Sequence, residues 1–255
     1  MDCYRFEKHI FKDGLLSNVD ATFIIHLEGN GRLSSIQNQL KQTHPTNTVY
    51  IVFNKGYKKC AKDNIDTPSV DLVDAFLQIF KYAKKMSFDN ILILEDDFLF
   101  DEEIQIHSHL VDKFLSENKG KYMYMLGAIP YIQVPASLDR NHYTVWASTG
   151  THACIYTKSL RDDILMDKNK IYDWDVYTNQ IAKRYTFYEA LCFQLFPETE
   201  NSKTWNNPLG LATILKTIFK CLGLDTQVEP GYSIFYLFSK IILWLMIFGL
   251  YKIIF

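Results

Sequence analysis

Residues 90–94 read NILIL and run directly into Glu95, Asp96 and Asp97. An apolar run without polar alternation is the pattern of a strand covered on both faces. Three adjacent carboxylates are costly to bury unpartnered, because like charges repel and each loses its hydration. A fold that places them just after a buried strand must gather compensating groups at that point. No other feature of the sequence constrains the architecture as tightly.

The upstream pattern supplies the rest of that architecture. Residues 21–27 (ATFIIHL) and 48–53 (TVYIVF) read as strands, the first closed by the Gly29-Asn30-Gly31 turn. Leu33, Ile36 and Leu40 share one side of a short helix that His44-Pro45 ends. Thr67-Pro68 opens a second helix, with Thr67 as N-cap and Pro68 in the first turn. Val70, Val73, Phe76, Leu77 and Phe80 form its apolar face. Strand–helix–strand–helix–strand predicts a parallel, doubly covered sheet of α/β class. Strands are further expected over residues 121–126 and 152–157, and helices over 111–115 and 159–166. In such sheets ligands sit beyond the carboxyl ends of the strands, where Glu95 to Asp97 stand.

In extended chain Glu95 and Asp97 point to one side and Asp96 to the other. An i, i+2 carboxylate pair can grip a hard cation, Mn²⁺ or Mg²⁺, which then neutralises a diphosphate as a Lewis acid. Asp101, Glu102 and Glu103 read as a solvated helix start. Lys55, Lys58, Lys59 and Lys62 form either a solvated turn or a diphosphate contact. His152, after Gly150-Thr151, is either structural or a donor to a phosphate or sugar. His107 and His109 fall on different helix faces and read as surface residues. Glu198, Glu200, Asn201, Ser202 and Trp205 could line an acceptor cleft.

ILILEDDFLF resembles the "LEDD" segment of glycosyltransferase family 25, which includes lipopolysaccharide and collagen galactosyltransferases. ATFIIHLEGNGRL resembles that family's opening strand and following Arg, here Arg32, although His26-Leu27 stands where the family has Asn-Leu. TGTHACIYTKSLRDDIL resembles its later Gly-Thr-x-Ala strand, and IYDWDVYTNQ its downstream Asp-bearing segment. The resemblance implies a GT-A type, Rossmann-like fold, a nucleotide-sugar donor such as UDP-galactose or UDP-glucose, and Mn²⁺. Asp97 would be the main metal ligand and Glu95 its support or a ribose contact. Asp96, Arg32 and His152 are expected around the donor. Asp173 or Asp175 would sit near the acceptor, a hydroxyl of a glycan, glycolipid or glycoprotein. An inverting reaction needs one of them as general base.

Hydrophobic residues make up 48% of the 255-residue chain, enough for a sizeable core, and the net charge of −2 argues against counterion-driven nucleic-acid binding. The five cysteines are scattered without a Cys-x-x-Cys pair, so neither zinc nor a disulfide framework is expected. Residues 1–8 do not have the pattern of a secretory signal. Residues 233–255 are apolar except for Lys240 and Lys252, and spanning a bilayer takes roughly 20 such residues. Leu211, Ile214, Leu215, Ile218, Phe219 and Leu222 lie on one helical stripe, the pattern of an in-plane amphipathic helix. The expected organisation is a catalytic domain over 1–208, an amphipathic linker over 209–232 and a C-terminal anchor over 233–255, with the domain on the cytosolic side. Two other readings compete with the transferase: a metal-dependent phosphoesterase, and a membrane-tethered module without turnover.

Overall fold

The computed structural model describes residues 3–136, 140–167, 171–181, 183–195, 211–224 and 226–254. Its centre is a seven-stranded mixed sheet ordered β1-β3-β2-β4-β7-β6-β8. The strands are β1 (Tyr4–Ile10), β2 (Ala21–Leu27), β3 (Thr48–Asn54), β4 (Asn90–Glu95), β6 (Met123–Pro135), β7 (His142–Thr157) and β8 (Arg184–Phe187). A two-stranded ribbon pairs β5 (Phe98–Phe100) with β9 (Cys192–Gln194). The helices are α1 (Leu33–Gln42), α2 (Pro68–Lys85), α3 (Glu103–Glu117), α4 (Lys158–Met166), α5 (Trp174–Thr178), α6 (Leu211–Cys221) and α7 (Gly231–Ile254).

The NILIL strand is buried on both faces, as its composition predicts. Leu92 and Leu94 face one core with Ile36 and Leu40 of α1 and Val111 and Phe114 of α3. Ile91 and Ile93 face the other, with Phe76 and Phe80 of α2, Leu160 of α4 and Trp174 of α5. Helices therefore cover both sides of the sheet, the α/β class read from the sequence. Thr67 caps α2 by accepting from the Val70 N–H, with Pro68 opening the first turn.

The parallel arrangement extends across β3, β2 and β4, and β8 pairs in parallel with β6 at the far edge. β1 adds to β3 antiparallel, and β7 adds antiparallel to the other side of β4. β1 alternates polar and apolar residues at a half-exposed edge, a weaker signal than a buried run. The long β6–β7 pairing carries several register shifts, so its extent was not readable from alternation.

The cysteine reading is corrected: Cys3 and Cys60 form a disulfide across 57 residues of sequence. β1 runs back along β3 and brings Cys3 to the loop after Asn54, a proximity that spacing alone does not encode. Cys154, Cys192 and Cys221 are free.

A third cluster joins Phe219 and Leu224, at the end of α6 and just after it, to Tyr232, Phe235 and Tyr236 of α7, against Ile129, Ala190 and Phe193. Gln133 of β6 also donates to Ser239 Oγ at 2.7 Å. The first third of α7 is thus packed onto the domain. Residues 231–249 are long and apolar enough to cross a membrane. Leu237, Phe238, Ile241, Trp244, Leu245 and Phe248 are exposed along it.

Candidate active site

β2 and β4 run parallel with Ile25 level with Glu95, so the turn after β2 faces the turn after β4. Gly29 and Gly31 adopt φ of +86° and +79°, a region open to glycine, and the turn they make delivers Asn30 and Arg32 to the carboxylates. Asp96 is buried and well partnered. It accepts from the Leu27 N–H, from Asn30 Nδ2 and from Arg32 Nη1 at 2.7 Å, and His26 Nδ1 lies 3.5 Å away. Burial alone would raise its pKa, but the His26 ring and Arg32 hold it below the ordinary aspartate value.

Arg32 Nη1 also reaches Asp97 Oδ2 at 3.0 Å, and Gln194 Nε2 donates to Asp97 Oδ1 at 3.0 Å. Even so, burial and the neighbouring Asp96 push the Asp97 pKa up. Glu95 is less well served: among the described residues it has no hydrogen bond or ion pair. Burial first, then the charges of Asp97, Asp175 and Asp96, push its pKa well up, with Arg32 the one opposing charge. Asp175, on α5, accepts from Thr151 Oγ1 at 2.8 Å and Thr149 Oγ1 at 3.5 Å, and burial raises its pKa too.

Glu95, Asp97 and Asp175 therefore form an acidic group with one guanidinium between them. Hard oxygen donors short of positive charge suit Mn²⁺ or Mg²⁺. The three are not gathered at ligand distance. Among the described residues, the acid and histidine trio whose ligand atoms lie within 4.8 Å of one another is Glu103, His107 and Glu189. That trio borders a cavity of about 270 Å³ at the foot of α7, lined in part by Glu103, Glu189, Phe193 and Tyr232.

The other expected residues divide clearly. Asp173 lies two residues before Asp175, but its carboxylate caps α5 by accepting from the Val176 N–H at 2.9 Å. His152 is fully buried with Nε2 on the Cys192 carbonyl at 3.0 Å, and burial lowers its pKa to about 4. It braces β9, the strand that carries Gln194. Lys62 is drawn inward to Asp71, Asn54 and Tyr4, which makes it neither a solvated residue nor a diphosphate ligand. Lys59 stays near the mouth, with Nζ 3.4 Å from the Glu28 carbonyl. His107 and His109 lie on α3, the first half-buried and the second exposed. Asp101 accepts from the Glu103 N–H at the start of α3, the acidic helix start read from the sequence. Glu198, Glu200, Asn201, Ser202 and Trp205 lie outside the described residues.

Sequence reasoning did not single out Gln194, Thr149 or Asn30. Asn30 was visible inside the Gly-Asn-Gly turn, and Thr149 and Thr151 flank the glycine before β7's buried end. Nothing local marks Gln194, because pairing between strands 94 residues apart places it.

No family model matches the chain, and no curated protein matches it in sequence. Solved structures are similar in fold. A protein from STIV aligns with a TM-score of 0.45 at 14% identity, over 71% of this chain and 86% of that one. A mannose-1-phosphate geranyltransferase from Thermus thermophilus aligns with a TM-score of 0.44 at 9% identity, over 67% and 73%. A glycosyltransferase involved in glycosylation of the major capsid of PBCV-1 aligns with a TM-score of 0.41 at 10% identity, over 71% and 94%. These distant likenesses concern the fold alone.

Proposed function

We propose that this chain is a membrane-attached glycosyltransferase that moves a hexose from a UDP-sugar to a hydroxyl of a glycan, glycolipid or glycoprotein. The observation that carries the reading is the charge deficit at Glu95, Asp97 and Asp175, placed beyond the carboxyl ends of parallel strands. Asp97 and Glu95 would hold Mn²⁺ or Mg²⁺, which when bound supplies Lewis-acid stabilisation of the leaving diphosphate. Arg32 keeps Asp96 and Asp97 oriented and stands ready as a cation beside the nucleotide. Asp175 is the general base in preference to Asp173, because its charge acts directly on Glu95 whereas Asp173 serves as the cap of α5. A raised pKa brings a carboxylate closer to neutral pH, where proton acceptance from a hydroxyl is more effective.

The exposed apolar face of α7 is the membrane contact. The Cys3–Cys60 bond belongs to an oxidising environment and argues for a domain facing that side rather than the cytosol. Protease protection in sealed membranes tests the orientation, and a domain that is digested from the cytosolic side overturns it.

The function is tested by calorimetry of a nucleotide-sugar panel with and without Mn²⁺, on wild type and Asp97→Ala. Binding of a UDP-sugar that needs both the metal and Asp97 is expected. Donor binding indifferent to both would refute the assignment.

A further inference from the structure

Gln194 holds Asp97, and beside its pairing with Phe98 of β5 three further contacts decide where Gln194 lies. His152 Nε2 bonds to the Cys192 carbonyl two residues earlier. Gly127 of β6 leaves the room: a Cβ there would stand 1.7 Å from the Cys192 carbonyl oxygen. The third contact comes from α7. The Gln194 N–H donates to Tyr232 Oη at 3.0 Å, and the same hydroxyl donates to the Gln194 carbonyl at 3.3 Å. One side chain thus closes both backbone groups of the residue whose amide donates to Asp97 Oδ1 at 3.0 Å.

Tyr232 is itself firmly placed. It is 1% exposed, with its ring 5.0 Å from Phe193 and edge-on to His152 at 6.3 Å. Without the Gln194 amide, Asp97 would keep the bond to Arg32 and that from its own backbone N–H, and would lose the side-chain donor that holds Oδ1. Partners that orient a metal ligand from behind typically change metal affinity about 10- to 100-fold when removed.

We propose that Tyr232, at the foot of the apolar helix, is a positioning residue for Asp97 that acts through Gln194. The helix that contacts the membrane is then also a wall of the active site, not a detachable anchor. This inference rests on the reading of Asp97 as a metal ligand.

The test is Mn²⁺ affinity, measured by calorimetry on the full chain in detergent micelles. Tyr232→Phe keeps the ring and removes only the hydroxyl, and is expected to weaken Mn²⁺ binding about 10-fold. Gln194→Met, which leaves α7 untouched, is expected to do the same. The double variant is expected to bind no more weakly than Gln194→Met, because both changes break one chain of contacts. Tyr236→Phe is the control: it lies one turn along in the same cluster, but its hydroxyl faces Thr186 Oγ1 at 3.4 Å. Its affinity should stay within about two-fold of wild type, well short of the loss from a broken second contact.

Wild-type affinity in Tyr232→Phe, while Asp97→Ala abolishes binding, would overturn the positioning role and leave the metal site standing. Additive losses in the double variant would overturn it as well. Unaltered binding in Asp97→Ala would refute the metal site and the inference together. If Tyr232→Phe does not fold, Gln194→Met decides alone, and wild-type affinity there overturns the proposal.

Discussion

Two acidic groups stand beyond the ends of β3 and β4, the strands on either side of β2, and the chain treats them differently. Beyond β3, Asp71 and Asp74 of α2 are partnered from within by one ammonium and three neutral donors. Lys62 Nζ lies 2.5 Å from Asp71 and 3.7 Å from Asp74, and Asn54, Tyr4 and Gln78 donate to the same carboxylates. Beyond β4, Arg32 bonds Asp96 and Asp97 and its charge also acts on Glu95, whose carboxylate has no donor among the described residues. Both groups are largely removed from water. The first is a finished internal structure. The second sets three carboxylates against one guanidinium that Asp96 also engages, and a hard cation from outside is the partner proposed for that deficit.

The contrast yields predictions in descending order of effect. Asp175→Asn should lower turnover roughly 10²- to 10⁴-fold while donor binding is kept, because it removes the proton acceptor and not the metal site. Steady-state rates beside donor calorimetry check this. Lys62→Met should destabilise the fold by about 3–5 kcal/mol in chemical denaturation, since it strands buried carboxylates. No cation added to the buffer should restore that loss. At Glu95 the sign reverses. Glu95→Gln should raise the stability of the metal-free protein by on the order of 1 kcal/mol, by relieving repulsion that the native chain leaves standing.

A further prediction concerns acid. His152 titrates near 4 in the folded chain because burial disfavours its charged form, whereas an unfolded histidine titrates near ~6.5. Between those values the unfolded state binds a proton that the folded state refuses, so stability falls as pH drops through that window and levels off below it. The loss is on the order of 3 kcal/mol, and His152→Gln should lack it in denaturation curves taken across that range.

The sequence made residues 21–95 legible because each element there is local and strongly patterned, whereas β1 and β5 were not read. NILIL, the Thr67-Pro68 cap and the Gly-Asn-Gly turn each state their structure within a few residues. The meeting of Arg32 with Asp96 and Asp97 has the same local origin, since these residues directly follow those elements. The later half depends on pairings that no local window contains. β9 finds β5 across about ninety residues, and the β6–β7 pair shifts register repeatedly. Gln194 follows from the β5–β9 pairing, and Cys3–Cys60 from the pairing of β1 with β3, which is why neither was read in advance. Asp173 caps α5 while Asp175 accepts from Thr149 and Thr151, details of backbone geometry that spacing does not fix.

The most direct test of the charge deficit is thermal unfolding of the full chain with and without millimolar Mn²⁺, for wild type and Asp97→Ala. A cation that binds only the folded state raises its stability by mass action. The account predicts that Mn²⁺ raises the unfolding temperature of the wild type and leaves that of Asp97→Ala unchanged. Equal response in the two proteins, or none in either, would contradict it.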